Sequence, residues 1–185
     1  MDLRLIFAFT ALVGLAGCND GTGGEGGAAI SGLGDAGTWA TDACQTLTIA
    51  EAEAAAGVKF VAAEVSGQTD YGHTILSTCS YEGSDILGNM TVALHHDKTG
   101  DGKIDQRIAA ELPADGPLGP SLDVPIGKGK ARWVPKAKMF AYYPDDDRAI
   151  YVTGPGVNPL GIGPKSQADD VVQERARAVA LAAAE

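Results

Sequence analysis

Residues 138–153, KMFAYYPDDDRAIYVT, predict two β-strands joined by a tight turn. Residues 138–143 and 148–153 are rich in the aromatic and β-branched side chains that favour strands. Three consecutive aspartates, Asp145-Asp146-Asp147, separate them and are typical of a solvated turn. Two strands with so short a connection pair antiparallel. The hairpin therefore predicts an antiparallel sheet.

Further strands are predicted elsewhere in the chain. Val92 and Leu94 alternate with Ala93 and His95, as expected for a strand that is buried on one side. Similar patterns place strands before the hairpin, at residues 59–65, 74–81, 89–95 and 131–134. The sheet should thus contain strands from both halves of the chain.

A helix is predicted over residues 48–56. Thr48 and Glu51 have the spacing of a capping box, in which each side chain bonds to the other residue's backbone N–H. The alanine-rich residues that follow propagate a helix well, and Gly57 supplies a C-terminal stop.

Two more helices follow from the pattern of apolar residues. One carries Ile104, Ile108 and Leu112 on one face and ends before Pro113, and the last begins near Ser166, with a second capping-box spacing. The predicted fold class is α+β, an antiparallel sheet with helices packed on one face. Each half of the domain offers a few strands followed by a helix. This pattern also allows a weak internal duplication of the two halves.

The first residues of this 185-residue chain differ in character from the rest. Arg4 precedes an apolar run over residues 5–13, which is shorter than the ~20 apolar residues of a spanning helix and has the size of a secretory signal. The run leads to Leu15-Ala16-Gly17-Cys18, which resembles the lipobox of bacterial lipoproteins. The resemblance implies cleavage before Cys18 and a thioether-linked diacylglycerol on its sulfur. An ordinary signal peptide over residues 1–17 is the alternative.

The segment after Cys18 is rich in glycine and predicts a flexible tether over residues 18–38. A single α+β domain is expected over residues 39–185. The formal net charge of −10 argues against nucleic acid and anionic lipid headgroups as partners. Asn19 after the lipobox favours the outer membrane, on its periplasmic face, in an organism with two membranes.

Three cysteines are present. If Cys18 is lipidated, Cys44 and Cys79 remain, and an exported domain is expected to pair them. Such a disulfide closes a loop long enough to contribute about 4 kcal/mol. Two free thiols, or a metal pair, are the alternatives, although the three histidines and the cysteines lack a zinc-type spacing.

Two segments resemble actinobacterial lipoproteins of unknown function. Residues 42–52, DACQTLTIAEA, are similar to their D-x-C-x-L-L-T-x-x-E opening, and Cys79-Ser80-Tyr81 is similar to their second-cysteine motif, C-x-W or C-x-Y. Residues 126–133, IGKGKARW, resemble their later G-x-G-x-x-A-x-W segment. The resemblance implies the fold, the disulfide and an envelope location. It implies no activity, because the family has no agreed one.

Residues 97–105, DKTGDGKID, resemble the first nine positions of an EF-hand calcium loop. Oxygen ligands would come from Asp97, Thr99, Asp101 and Asp105, and a glycine allows the sharp turn between them. Ile108 occupies the twelfth position, where a bidentate carboxylate belongs. The competing interpretation is a turn whose aspartates cap the following helix. Calcium is the only cofactor that the sequence suggests.

Other candidate residues favour structural roles. Adjacent histidines, His95 and His96, point to opposite faces of a strand and do not readily share a metal ion. They are expected to be solvent-facing at a strand end. The aromatic residues of the second half are expected to form sheet core rather than a ligand platform: Trp133, Phe140, Tyr142 and Tyr143.

No catalytic motif is recognisable in the sequence. The leading expectation is therefore a non-enzymatic, lipid-anchored envelope protein that binds an envelope protein or a small ligand. A calcium-binding module and an envelope hydrolase are the two alternatives. The hydrolase would require a concave pocket with convergent carboxylates or a histidine.

Overall fold

The strands form one antiparallel sheet of seven strands in the computed structural model, which describes residues 39–99, 102–158, 160–161 and 163–185. The strands are β1 (Phe60–Asp70), β2 (Thr74–Gly83), β3 (Met90–Asp97), β4 (Leu122–Val124), β5 (Lys130–Val134), β6 (Met139–Tyr143) and β7 (Arg148–Thr153). Their order across the sheet is β1-β2-β3-β7-β6-β5-β4.

This order joins two meanders side by side. β1, β2 and β3 form the first, and β4 to β7 form the second. The two meet where β3 pairs with β7, in a register that runs from Thr91 opposite Thr153 to His96 opposite Arg148. The chain must therefore cross from the middle of the sheet to its far edge between β3 and β4.

Four helices accompany the sheet: α1 (Ala43–Thr46), α2 (Ile49–Ala56), α3 (Ile104–Glu111) and α4 (Asp169–Ala182). Among the described helices, none combines the length and the apolar character that crossing a bilayer requires. The fold is α+β, and the predicted antiparallel sheet is confirmed.

α1, α2 and α4 lie on one side of the sheet, which we call the main face. The backbone N–H of Ala43 in α1 donates to the Ser77 hydroxyl of β2 at 2.9 Å. α4 contacts α2, β6 and β7. The indole N–H of Trp39 donates to the Ala183 carbonyl at the end of α4, at 2.9 Å. This side contains the larger core, which includes Leu94, Phe140, Ile150 and Val152.

α3 packs on the alternate residues of the second meander. Ile108 and Leu112 cluster with Val134, Ala141, Tyr143 and Ala149. Because successive strand residues point to opposite faces, these partners lie on the side away from Phe140 and Ile150. We call this side the second face, and α3 thereby departs from the predicted arrangement of helices on one face. α3 covers this face over β5 to β7.

The predicted capping box at the start of α2 is confirmed. The Glu51 carboxylate accepts from the Thr48 backbone N–H at 2.8 Å, and the Glu51 N–H donates to the Thr48 hydroxyl at 3.4 Å. Gly57 ends the helix in the left-handed conformation, with φ of 67°.

The second predicted capping box is wrong. Ala168 precedes α4 without a side-chain cap. The Ser166 hydroxyl instead accepts from the Asn158 backbone N–H at 2.9 Å. Serine side chains form hydrogen bonds readily with nearby loop backbone. The Ser166 hydroxyl binds the loop in this way and does not cap the helix.

Candidate functional site

Cys44 of α1 and Cys79 of β2 form a disulfide with Cα atoms 5.1 Å apart, as predicted. Asp42 positions α1, because its carboxylate accepts from the backbone N–H groups of Cys44 and Gln45 at 2.9 and 3.1 Å. Cys79 is fully buried on the main face. The bridge therefore fastens a four-residue helix to the centre of the first meander.

The proposed lipidation residue, Cys18, and the tether over residues 18–38 lie outside the described residues. Asp101, one of the four candidate calcium ligands, also lies outside them. Cleavage and lipidation at Cys18 stay predictions, as does calcium binding.

Asp97 ends β3, and its carboxylate turns back onto its own loop. One oxygen accepts from the backbone N–H and the hydroxyl of Thr99, at 2.9 and 2.7 Å. Burial by itself would raise the pKa of Asp97, but the hydrogen bonds from Thr99 outweigh it and hold the pKa below its usual value. Asp105 forms an ion pair with Lys130 of β5. Asp97 and Asp105 are thus each engaged with protein groups.

The aspartate that caps α3 comes from the β6–β7 turn. The backbone N–H of Ile104 donates to the Asp146 carboxylate at 3.0 Å, and the Arg107 guanidinium donates to the Asp146 carbonyl at 3.1 Å. Lys103 at the N-cap position contributes no side-chain bond. Among the described residues, no group of three or more His, Cys, Asp or Glu side chains could hold a metal ion.

His95 was expected to face solvent, but its side chain is half-buried. Its ring lies against Tyr151, with centroids 4.7 Å apart, on the second face beside α3. Burial lowers the pKa of His95, and it outweighs the Glu111 carboxylate, which acts in the opposite direction. His96 pairs with Arg148 in the next register position and points to the other face.

Three polar side chains form a half-buried cluster that the sequence did not predict. The Tyr143 hydroxyl donates to the Glu111 carboxylate at 2.9 Å and lies 3.2 Å from the Tyr151 hydroxyl. The Tyr151 hydroxyl donates to the same carboxylate oxygen. Burial raises the pKa of both tyrosines, and the Glu111 charge adds to the effect. The cluster ties the end of α3 to the sheet and holds both hydroxyls protonated.

We expect His95 to make the protein less stable as the pH falls below about 6.5. An unfolded histidine titrates near 6.5. The pKa of His95 in the folded protein lies lower, so the unfolded state binds more protons than the folded state below this pH. Acidification therefore stabilises the unfolded state relative to the folded one. Urea unfolding at several pH values would measure the slope. His95→Gln should flatten it, whereas an unchanged slope would contradict the assignment.

A groove of about 640 Å³ opens on the second face over β1 to β3 and the end of β7. Its floor contains Glu64, Ser80, Thr91 and Thr153, which are successive register partners across β1, β2, β3 and β7. Glu82 and Asn89 line it beside this row. The volume falls within the range of small-ligand sites, about 300–1,000 Å³. The groove is therefore the candidate binding site.

The aromatic residues of the second half are core, as predicted. Tyr143 and Phe140 are fully buried, and Trp133 and Tyr142 are no more than 4% exposed. None of these four side chains lines the groove.

Comparisons of the chain with protein-family models, curated proteins and solved structures found no match.

Proposed function

We propose that this chain is a lipid-anchored envelope lipoprotein whose folded part is a non-enzymatic binding module. The Leu15-Ala16-Gly17-Cys18 motif would direct cleavage before Cys18 and attachment of a diacylglycerol to its sulfur. The tether would keep the domain within a few nanometres of the bilayer. Anchoring of this kind raises the local concentration of the domain near membrane-bound partners.

The Cys44–Cys79 disulfide carries this proposal. Structural disulfides persist in oxidising compartments and are rare where thiols are kept reduced. A bridge at the centre of the first meander is thus expected of an exported protein, and export is what the leader predicts. The two observations are independent, because one comes from residues 1–18 and the other from the folded part.

The groove on the second face supports a binding role. It places hydroxyl, amide and carboxylate groups on a shallow floor of mainly small side chains. Such a floor lets a ligand approach the sheet closely and form several hydrogen bonds. We assign ligand or partner binding to this surface.

Replacement of the modified cysteine tests the anchor. Cys18→Ser should move the protein from the membrane fraction to the aqueous fraction, because lipid attachment requires the Cys18 sulfur. Intact-mass analysis of the wild-type protein should find residues 1–17 removed and acyl chains added. Cys44→Ala/Cys79→Ala should stay in the membrane fraction as the matched control. An unlipidated wild-type chain, or one with its leader attached, would refute the proposal.

A hydrolase requires a pocket with neighbouring carboxylates or a histidine, and Glu64 and Glu82 both line the groove. Two carboxylates at such a site can act as acid and base on a glycosidic bond. Turnover of chromogenic glycosides that Glu64→Gln and Glu82→Gln each abolish would favour this second candidate. The absence of turnover across a broad panel would leave the binding module.

A further inference from the structure

The two edges of the sheet differ in how well they are protected. β4 has three residues and is flanked by Pro120 and Pro125, which lack backbone donors. β1 has eleven residues. An edge strand presents a row of backbone N–H and C=O groups that can pair with another chain. β1 is therefore the edge at which an added strand would fit.

The usable part of β1 lies between two irregularities. Register shifts occur between Phe60 and Ala62 and between Val65 and Gly67, whereas residues 62–65 pair regularly with β2. Val65 is 45% exposed and shares the main face with its register partner Cys79. Glu64 points to the second face, into the groove. An added strand would meet an apolar side chain on one face and a carboxylate on the other.

The groove next to this edge carries uncompensated negative charge. Ala62 pairs with Glu82 and Glu64 pairs with Ser80, so the two glutamates are diagonal neighbours. Diagonal cross-strand neighbours lie about 7–8 Å apart, and like charges at such range repel. The described groove lining includes no Lys, Arg or His, and no salt bridge in the described part of the chain involves either glutamate. A cationic ligand group would relieve this repulsion.

We propose that β1 and the groove together bind an extended segment of a partner protein in which lysine alternates with aliphatic residues. The segment would add to β1 as an eighth strand, since main-chain hydrogen bonds supply affinity in this recognition mode and alternate side chains supply specificity. Its lysines would lie over Glu64 and Glu82, and its aliphatic side chains would cover Val65. This inference rests on the proposed binding function and names the class of partner.

Labelled synthetic peptides test the proposal on the purified full-length chain. The probe is a seven-residue peptide that alternates lysine with valine, and the matched peptide has glutamate in place of each lysine. Fluorescence anisotropy should give saturable binding of the lysine peptide at least tenfold tighter than that of the glutamate peptide. Amide shifts in ¹⁵N-labelled protein should be largest at residues 61–66. Equal binding of the two peptides, or shifts confined to other strands, would overturn the proposal.

Protein variants separate the groove from the general negative charge of the chain. Glu64→Gln/Glu82→Gln should weaken binding of the lysine peptide about tenfold. Asp115→Asn/Glu185→Gln removes the same charge from exposed positions elsewhere and should leave the affinity unchanged. Equal weakening by both variants would show that the peptide responds only to the net charge of the protein, and it would overturn the proposal. Melting temperatures identify a variant that fails to fold, and Val65→Lys then replaces it, because its added charge should repel the peptide.

The anchor and the partner class fail in different experiments. Release of the Cys18→Ser variant together with no preference for the lysine peptide would refute only the partner class. An unlipidated chain that still prefers the lysine peptide would refute the anchor and keep the β1 site.

Discussion

The double variant Cys44→Ala/Cys79→Ala is expected to lose about 4 kcal/mol of its free energy of unfolding, from the chain-entropy estimate for a loop of this length. The two cysteines are 35 residues apart, and their bridge restricts the unfolded chain. α1 has four residues and is far too short to form without tertiary support. Urea unfolding of the oxidised wild-type protein and of the variant, at one pH, measures the difference.

Reduction provides the control for this experiment. A reductant should destabilise the wild-type protein by a similar amount and should leave the double variant unchanged. Cys18→Ser, which retains the bridge, should unfold at the wild-type urea concentration. A loss below about 1 kcal/mol would mean that the unfolded chain is already compact around this loop.

Gly129→Ala is expected to cost about 3 kcal/mol or more. Gly129 has φ of 73°, a conformation that costs a residue with a Cβ about 1–3 kcal/mol. An added methyl would also overlap the Tyr143 carbonyl oxygen and lie 2.9 Å from the Pro144 Cα. Both neighbours are backbone atoms, which a side-chain rotation cannot move away. Thermal and urea unfolding would measure the loss.

Gly127 offers a matched control two residues earlier in the same loop. A methyl added there meets nothing within 4 Å, and its φ lies outside the left-handed range. Gly127→Ala should therefore change stability by less than about 0.5 kcal/mol. Equal effects of the two substitutions would show that the loop does not hold Gly129 in this conformation.

Gly127 and Gly129 show where prediction from local sequence stops. Both glycines belong to the segment that resembles G-x-G-x-x-A-x-W, and they look alike in the sequence. The left-handed φ of Gly129 and the approach of the Tyr143 carbonyl from β6 make a glycine necessary at the second position only. Local signals, such as the Thr48–Glu51 capping box and the 138–153 hairpin, were sufficient to predict their elements. Short elements without such signals, α1 and β4, were missed.

The candidate site depends on contacts that are distant in sequence. Glu64, Ser80, Thr91 and Thr153 become one row only through the register of four strands, which no single segment specifies. The cap of α3 likewise comes from Asp146, 42 residues beyond the helix start. A turn aspartate has no local feature that distinguishes a cap for a remote helix from a solvated side chain. The candidate site could be predicted only with knowledge of the strand register and of the path of the chain from β3 to β4.

The position of β7 in the middle of the sheet has a consequence for the order of assembly. β7 is the last strand to leave the ribosome, yet it joins β3 and β6 and so links the two halves. Until residues 148–153 are available, the long flank of β3 is an unpaired edge of the kind that favours aggregation. A chain that lacks residues 148–153 therefore cannot join its two meanders, and it leaves the β3 edge open to pairing with other chains.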